Sequence, residues 1–305
     1  MNHIFGPVPS RRLGRSLGVD LVPFKTCTYD CIYCQLGKTT CKTMRRQEWV
    51  SLDEVLKELK ENLASNPDYI TLSGSGEPTL YSRIDELITG IRSMTDIPIA
   101  VLTNGSLLWQ KEVRSQLLKA DLIIPSLDAG DKVLFEAVNR PHPEISFESM
   151  LDGLKSLRDE FQGQYWLEVL ITGGYTAINS ELEKIAALVA KIMPDRVQLN
   201  TVTRPPAEDF AMGISRERLE EFAGLFDPRA EVIADFRGIH SAPDFSAARE
   251  SVLELLRRRP CSIDDIANGL GIHRNEAVKY AEELLAAKSI ERTISNGKTF
   301  FRING

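Results

Sequence analysis

Short, nearly continuous apolar runs alternate with amphipathic segments over the first two thirds of this chain, and this alternation constrains the fold most strongly. Such runs are typical of strands buried on both faces of a parallel sheet that helices cover. Strands are predicted over 18–24, 69–73, 97–103, 121–127, 166–171 and 196–202, and helices over 51–64, 82–94, 107–119, 146–161 and 178–192. These units predict an α/β fold, a partial (β/α)6 TIM-like barrel, with its chemistry in the loops at the carboxyl ends of the strands.

A second pattern follows the predicted barrel. A helix near 215–226 and a strand near 231–236 precede residues 237–246, which lack periodicity and are predicted to be a linker. Three helices are then predicted, and Asn-Gly joins two β-prone runs, a strong signal for a hairpin. The helices are expected over 247–258, 262–270 and 273–287, and the strands over 290–294 and 299–303. The predicted domains are therefore a barrel over 1–236 and a winged helix-turn-helix domain over 247–305.

Three of the five cysteines, Cys27, Cys31 and Cys34, follow the first predicted strand at the spacing C-x3-C-x2-C. Thiolates are soft ligands that select iron-sulfur clusters, zinc or copper(I). A 4Fe-4S cluster normally takes four cysteines, so three ligands leave one iron open to an exogenous molecule. Zinc is the alternative, with Cys41 or a histidine as fourth ligand. A disulfide framework is not expected, because only two cysteines lie outside the triad.

The stretch VPFKTCTYDCIYCQ, with Tyr33 before the third cysteine, resembles the cluster loop of the radical S-adenosylmethionine (radical SAM) enzymes. It most resembles the branch that contains the wyosine-base synthases, which modify transfer RNA. The resemblance implies that Cys27, Cys31 and Cys34 hold a 4Fe-4S cluster and that the SAM amino and carboxylate groups chelate its open iron. Reduction by a donor such as flavodoxin or ferredoxin would then cleave SAM to a 5'-deoxyadenosyl radical that abstracts hydrogen from substrate.

The wyosine-type enzymes also hold a second cluster with further cysteines. The two cysteines that remain here, Cys41 and Cys261, are expected not to be ligands, and Cys261 is expected to be buried in a helix. Synthesis of wyosine itself is therefore not expected.

The turn GSGEP after the second predicted strand matches, by position, the Gly-Gly-Glu motif that holds the SAM amino group in radical SAM enzymes. Ser75 replaces the first glycine, and Gly76 and Glu77 follow it. Ser126 and Asp128 in PSLDA resemble the Ser-Leu-Asp of several radical SAM families. The other residues expected to contact SAM are Tyr33, Thr103, Asn104, Glu168 and Asn200. For Glu168 and Asn200, an internal hydrogen bond within a buried strand is the alternative.

The formal net charge of −6 argues against a protein that coats nucleic acid, but basic residues are concentrated near the amino terminus. Residues 1–46 hold eight Lys and Arg against two Asp. This segment is a candidate for contact with an anionic substrate, the reductant or SAM, or is a solvated face. Arg140 and Arg204, in proline-rich turns, are candidates for binding an anionic substrate or for surface salt bridges, and His142 is a candidate acid or base.

The predicted winged helix has ten basic and eight acidic residues, with His273, Arg274, Asn275 and Lys279 where base contacts arise in such domains. We expect it to recruit nucleic acid or a protein and to be dispensable for SAM cleavage. The alternative function is a regulator in which a cluster or zinc senses redox state and the winged helix binds DNA. The sequence has no apolar run of the ~18 residues that a membrane span needs and no signal-peptide pattern. A cytoplasmic enzyme is expected, acting on an unidentified substrate such as RNA or another anionic molecule.

Overall fold

A computed structural model describes residues 3–10, 12–234, 249–270 and 274–304. In chain order the strands are β1 (Ile4–Ser10), β2 (Gly14–Val19), β3 (Thr26–Cys27), β4 (Cys41–Lys42), β5 (Tyr69–Leu72), β6 (Ile99–Thr103), β7 (Leu122–Pro125), β8 (Gln164–Ile171), β9 (Arg196–Thr201), β10 (Glu231–Val232), β11 (Ile290–Ser295) and β12 (Lys298–Ile303). The α-helices are α1 (Leu52–Asn62), α2 (Ile84–Arg92), α3 (Lys111–Leu117), α4 (Lys132–Val138), α5 (Phe147–Glu160), α6 (Asn179–Ile192), α7 (Arg216–Ala223), α8 (Arg249–Arg258), α9 (Ile263–Leu270) and α10 (Arg274–Ala286).

The main sheet has eight strands in the order β1-β2-β5-β6-β7-β8-β9-β10. Strand β1 pairs antiparallel with β2, and every later neighbour pairs parallel. Helices follow the parallel strands because each crossover must return the chain to the same end of the sheet. The predicted α/β fold with a parallel sheet is confirmed.

The amino-terminal hairpin differs from the prediction. The first predicted strand, 18–24, lies at Gly14–Val19 instead, and β1 was not predicted. The segment IFGPVPS contains a glycine and two prolines, which argue against a strand in the middle of a sheet. Strand β1 escapes this restriction because it is the edge strand and pairs on one side alone. Helix α4 was also not predicted.

The helices pack on one face of the sheet through regularly spaced apolar residues. In α1, Leu52, Val55 and Leu59 are buried on one face, and the Ser51 hydroxyl accepts a hydrogen bond from the Glu54 amide at 3.4 Å. Ser51 therefore caps the helix, a position at which serine is strongly preferred. No helix in the described part of the chain is long and apolar enough to cross a membrane.

The other face of the sheet surrounds a cavity of about 340 Å³. Its lining includes Phe5 from β1, Thr71 from β5, Leu102 from β6, and Glu168 and Asn200 from β8 and β9. Since strands from both halves of the sheet line one cavity, the sheet curls into a partial barrel, as predicted.

Helices α8 to α10 and the β11–β12 hairpin form a separate apolar core, which includes Val252, Leu256, Ile266 and Phe301. Val8 of β1 packs against this core. The order of three helices and a hairpin is the predicted one, and the winged-helix assignment stays a prediction. The predicted linker 237–246, His273 and the side chains of Arg274, Asn275 and Lys279 lie outside the described residues.

Candidate active site

The cysteine loop, residues 25–42, lies at the carboxyl ends of the first parallel strands. It begins and ends with β3 and β4, which pair parallel with each other. The Cys34 amide donates to the Cys31 carbonyl at 3.1 Å, closing a tight turn between two of the cysteines. The Ile32 amide donates to the Val138 carbonyl at 3.0 Å, which holds the turn against the end of α4. The loop is therefore fixed by backbone contacts on both sides.

Two asparagine side chains donate to the cysteine sulfurs. Asn104 Nδ2 lies 3.5 Å from Cys27 Sγ, and Asn139 Nδ2 lies 3.6 Å from Cys31 Sγ. Burial and the nearby Glu77 carboxylate raise the pKa of Cys27 to about 12. Burial and the neighbouring Cys27 and Cys34 raise the pKa of Cys31 well above its usual value. A thiol in this setting would release its proton most readily when a metal cation replaces that proton on the sulfur.

The donor set and one unpaired hydroxyl fit an iron-sulfur cluster. The buried Tyr29 hydroxyl has no hydrogen-bond partner among the described residues, and burial and the nearby Cys31 raise its pKa, so it remains a donor. A buried O–H donor beside thiols is suited to a group rich in sulfur acceptors. Within the described ranges no three His, Cys, Asp or Glu side chains converge on a single metal ion. A cubane does not require such convergence, because each cysteine bonds a different iron.

The remaining two cysteines differ in their surroundings from the three of the triad. Cys41 is exposed on β4, and Cys261 is buried in the core of the carboxy-terminal helices. Cys261 precedes α9 rather than lying within a helix, and its backbone bonds to Phe301 of β12. Cys261 is therefore buried, as expected, but it does not lie in a helix.

The 73–79 turn after β5 packs directly against the cysteine loop. The Lys25 amide donates to the Ser75 carbonyl at 2.7 Å, and the Glu77 amide donates to the Thr26 carbonyl at 3.2 Å. A Cβ atom on Gly76 would lie 1.7 Å from the Thr26 carbonyl oxygen. Glycine is required at this position because the backbones of loop and turn approach closely.

The Glu77 carboxylate is buried, with 2% of its surface exposed, and accepts several internal hydrogen bonds. Oε1 accepts from the backbone amide of Thr79 at 3.1 Å and from the hydroxyls of Thr79 and Thr103 at 2.6 Å each. Oε2 accepts from the backbone amide of Asn104 at 2.7 Å. Burial raises the Glu77 pKa, and these hydrogen bonds oppose the rise. Glu77 thus joins the ends of β5 and β6 and brings three predicted site residues together. Its direct contact with SAM stays a prediction.

Tyr33 and Asp128, both predicted, also meet. The Tyr33 hydroxyl donates to Asp128, which further accepts from Asn139 Nδ2 at 2.9 Å and from the Leu170 amide at 2.9 Å. Burial raises the Asp128 pKa to about 6. Asn139 was missed by the sequence analysis, although it directly precedes Arg140 in the proline-rich turn. It contacts both a cysteine and the predicted aspartate.

Glu168 and Asn200 face the barrel cavity and contact each other. Asn200 Nδ2 donates to Glu168 Oε1 at 2.9 Å, and Arg12 forms an ion pair with Glu168 at 2.5 Å. Ser126 forms an isolated parallel bridge with Glu168. The internal hydrogen bond, which was the alternative for both residues, is present. Arg12 was missed as a partner because it lies in the hairpin whose first strand was not predicted.

Two of the candidate anion-binding residues form ion pairs within the chain. Arg140 contacts Glu208 at 2.5 Å, the salt bridge that was its alternative. Arg204 is buried, with 7% of its side chain exposed, and contacts Asp265 of α9 at 3.5 Å. A surface salt bridge is therefore wrong for Arg204, because the carboxy-terminal domain covers it. The His142 ring accepts a hydrogen bond from the Glu144 amide at 3.4 Å through Nδ1.

Comparisons with known proteins agree with this geometry. The family model described as the Radical SAM superfamily matches residues 21–189. UPF0026 protein MJ1312 of Methanocaldococcus jannaschii is 31% identical over 97% of this chain and 100% of its own length. The chain belongs to the radical SAM superfamily, within the UPF0026 family. It is an enzyme of that superfamily, whose members use a 4Fe-4S cluster and SAM and require an electron donor.

Other relatives are longer than this chain and match it over part of their own length. A protein named GTPase Obg from Brachyspira hyodysenteriae is 39% identical over 99% of this chain, which spans 45% of that longer protein. A tRNA 4-demethylwyosine synthase of Oryza sativa subsp. japonica is 25% identical over 66% of this chain and 32% of its own length. The resemblance to the wyosine branch is thus confirmed. The redox-sensing regulator, our alternative, is not supported by these relatives.

Among solved structures, a radical SAM methyltransferase from Sphaerobacter thermophilus aligns with a TM-score of 0.55 at 18% identity. The alignment covers 73% of this chain and 67% of the methyltransferase. At this level of identity the likeness supports the shared fold.

Proposed function

We propose that Cys27, Cys31 and Cys34 hold the 4Fe-4S cluster of this radical SAM enzyme and that SAM binds across the adjacent strand ends. The observation that carries the proposal is the contact of the cysteine loop with the 73–79 turn. Lys25, Thr26 and Gly76 join them through backbone contacts, so cluster and cofactor contacts would lie side by side. The substrate is an unidentified C–H compound, for which we propose RNA or another anionic molecule.

When bound and reduced, the cluster and SAM supply a 5'-deoxyadenosyl radical that abstracts hydrogen from a substrate. The protein binds, orients and shields these groups. Asn104 and Asn139 donate to the sulfurs of Cys27 and Cys31, which stabilises the thiolate form. Glu77 fixes the ends of β5 and β6 relative to each other, so that the groups at both ends face one ligand.

Further contacts proposed for SAM are Ser75 and Gly76 at its amino group and Thr103, Ser126 and Asp128 at its remaining polar groups. Glu168 and Asn200 face the cavity of about 340 Å³ inside the barrel, where Arg12 balances the charge of Glu168. These residues would contact either SAM or the part of the substrate that enters the barrel. Water would be excluded by the hairpin and the carboxy-terminal domain, which both line the cavity.

A cleft of about 1150 Å³ separates the cysteine loop from the carboxy-terminal domain, and we propose it as the route of the substrate. Its lining includes Phe24, Lys25 and Gln35 from one side and Arg257 and Arg302 from the other. Residues 247–305, proposed as a winged helix after a barrel of residues 1–236, would present the substrate to this cleft. Binding of RNA should then weaken steeply with salt, because each neutralised phosphate releases counterions. A shallow salt dependence would favour a protein substrate.

The exposed side of the cysteine loop is proposed to receive the electron donor, a flavodoxin or ferredoxin. Lys38, Lys42 and Arg45 are exposed there. Lys38 pairs with Glu208 at 3.4 Å, and among the described residues Arg45 forms no ion pair with an acidic side chain. A surface with this sign of charge attracts an acidic protein and speeds its association at low ionic strength.

The test is anaerobic reconstitution with iron and sulfide, followed by SAM and dithionite. We expect cluster assembly and the release of 5'-deoxyadenosine, measured by chromatography. An intact cluster that yields no 5'-deoxyadenosine would contradict the proposed cleavage. Candidate substrates can then be ranked by how far each one changes the yield of 5'-deoxyadenosine.

A further inference from the structure

A side chain from the carboxy-terminal domain reaches the turn that we propose for SAM. Arg258, the last residue of α8, donates through Nη1 to Asp20 Oδ2 and to Ser75 Oγ, the latter at 3.2 Å. Its guanidinium also lies 4.9 Å from the ring centroid of Phe5 in β1. The side chains of Arg258 and Asp20 are 13% and 6% exposed. The ion pair is thus largely shielded from solvent. Opposite charges attract each other more strongly in such a site than in water.

Asp20 in turn holds the 73–79 turn. Its Oδ1 accepts from the Ser75 amide at 2.9 Å, and its Oδ2 accepts from the Ser75 hydroxyl at 2.5 Å. Gly74 has φ +151°, and a Cβ there would lie 2.6 Å from the Asp20 carboxyl carbon. The turn therefore fits closely around this carboxylate, whose orientation determines the backbone at Ser75.

The two flanks of Ser75 are held by different parts of the chain. The cysteine loop holds its carbonyl through the Lys25 amide at 2.7 Å, and Asp20 holds its amide and hydroxyl. Asp20 follows β2 directly, and Arg258 supplies the cation that opposes its charge. A buried carboxylate without its cation reorients toward solvent or takes up a proton, and either change alters what it offers to the turn.

The carboxy-terminal domain is anchored so that this contact is maintained. Arg204 pairs with Asp265 of α9, and the Asn296 side chain donates to the Val202 carbonyl at 3.3 Å. A Cβ on Gly269 would lie 3.0 Å from Pro9 Cδ, so α9 packs closely on β1. These contacts come from α9 and from the turn of the β11–β12 hairpin, and they hold the small domain beside the barrel.

We propose that Arg258 is a positioning residue of the SAM site: it acts through Asp20 to set the backbone at Ser75. The proposal rests on the proposed function of the 73–79 turn in binding SAM. It assigns to the carboxy-terminal domain a part in the radical step, in contrast to the dispensable role expected from the sequence.

The test measures SAM affinity, by isothermal titration, of the full-length protein carrying a reconstituted cluster. Arg258→Ala should weaken SAM binding about tenfold, because the backbone at Ser75 would no longer be held in the orientation that binds SAM. Arg258→Lys should recover part of the loss, because it keeps the charge but not the planar geometry. Lys298→Ala is the control, since Lys298 is exposed on β12 of the same domain and lines neither the cavity nor the cleft. It should bind SAM within about twofold of the unaltered protein, and iron content should be equal in all variants.

A double-mutant cycle distinguishes positioning from general stability. If Arg258 acts through Asp20, the Asp20→Asn and Arg258→Ala double variant should bind SAM no more weakly than Asp20→Asn alone. Additive losses, or an Arg258→Ala variant that binds SAM within twofold of the unaltered protein, would overturn the proposal. If Arg258→Ala does not fold, the cycle with Arg258→Lys decides by the same criterion. Failure of the unaltered protein to bind SAM would instead refute the proposed function.

Discussion

Asn104, which follows β6, and Asn139, at the carboxyl end of α4, bring amide donors to the sulfur atoms of Cys27 and Cys31. Hydrogen bonds of this kind stabilise a thiolate and orient it as a ligand, as partners outside the ligand set do for other metal centres. The same amide of Asn139 also contacts Asp128, which Tyr33 contacts from the cysteine loop. The loop is thus coupled to the barrel by side chains as well as by its backbone.

At this scale, Cys31→Ala should abolish the cluster. Each of the three cysteines is proposed to bond a separate iron, and the remaining thiol of the loop, Cys41, is exposed on β4 and is not expected to replace the lost ligand. Iron and sulfide analysis after anaerobic reconstitution should show loss of the cluster, while circular dichroism should show a folded protein. Cys41→Ala is the matched control and should keep a full cluster. A full cluster in the Cys31→Ala variant would mean that Cys41 or another group is the ligand.

A second residue-level prediction concerns Glu77. Glu77→Ala removes the acceptor for donors from Thr79, Thr103 and Asn104 and leaves them buried, which should destabilise the fold by about 3 kcal/mol. It should also weaken SAM binding while the cluster remains. Urea unfolding and SAM titration measure the two effects. Glu77→Gln keeps part of the hydrogen bonding and should lose less of both. Unchanged SAM affinity in Glu77→Ala would remove the 73–79 turn from the site.

At the scale of elements, the close approach of the 73–79 turn to β3 decides how the site is assembled. The Thr26 carbonyl lies where a side chain on residue 76 would begin, so the turn and the cysteine loop pair like two strands at this point. The hairpin of β1 and β2 completes the arrangement from the opposite side, because its turn carries Arg12 to Glu168. Both features join elements that are distant in sequence and lie together in the folded sheet.

Gly76→Ala should separate the turn from the cysteine loop. The added methyl carbon would lie 1.7 Å from the Thr26 carbonyl oxygen, so one backbone must move. We expect SAM affinity to fall at least about tenfold and the melting temperature to drop by several degrees. Gly224→Ala is the control, since its φ is −71° and its nearest contact would be 3.3 Å. Normal SAM affinity in Gly76→Ala would show that the turn is not a binding element.

At the scale of the whole molecule, the small carboxy-terminal domain is tied to the barrel by apolar packing and buried charges. Val8 of β1 packs into its core, and Arg204 reaches Asp265. Removing one partner of a buried ion pair lowers the free energy of unfolding by several kcal/mol, because the other charge stays buried without its counter-charge. The domain therefore contributes to the stability of the barrel as well as to the cleft.

Truncation after residue 234 tests this coupling. The shortened protein should retain the cysteine loop and assemble a cluster, but it should bind SAM at least about tenfold more weakly because Arg258 is absent. It should also melt at a lower temperature, since the packing of Val8 is lost. Iron analysis, SAM titration and calorimetry measure these effects. A truncated protein with full SAM affinity and normal 5'-deoxyadenosine yield would restore the purely recruiting role first expected for the domain.

The sequence by itself determined the features that depend on near neighbours along the chain. Cys27, Cys31 and Cys34 lie in one loop because they are close together in sequence. The Ser51 side chain caps α1 by accepting a hydrogen bond from the backbone amide three residues later. The order of strands and helices follows from the local alternation of apolar residues. The order of strands also indicates which residues follow neighbouring strand ends. Glu77 and Thr103, which form a hydrogen bond between the ends of β5 and β6, are both among the residues predicted for the site.

The tertiary structure alone decided which distant side chains meet. Arg12 reaches Glu168, Arg204 is buried against Asp265 rather than exposed, and Arg258 contacts Asp20 across more than two hundred positions. No local pattern predicts these partners, because the sequence around a charged residue is the same whether its side chain faces solvent or a buried opposite charge. Their pairing is set by the curl of the sheet, the edge position of β1 and the packing of α9 against it, which arise only when the whole chain is folded.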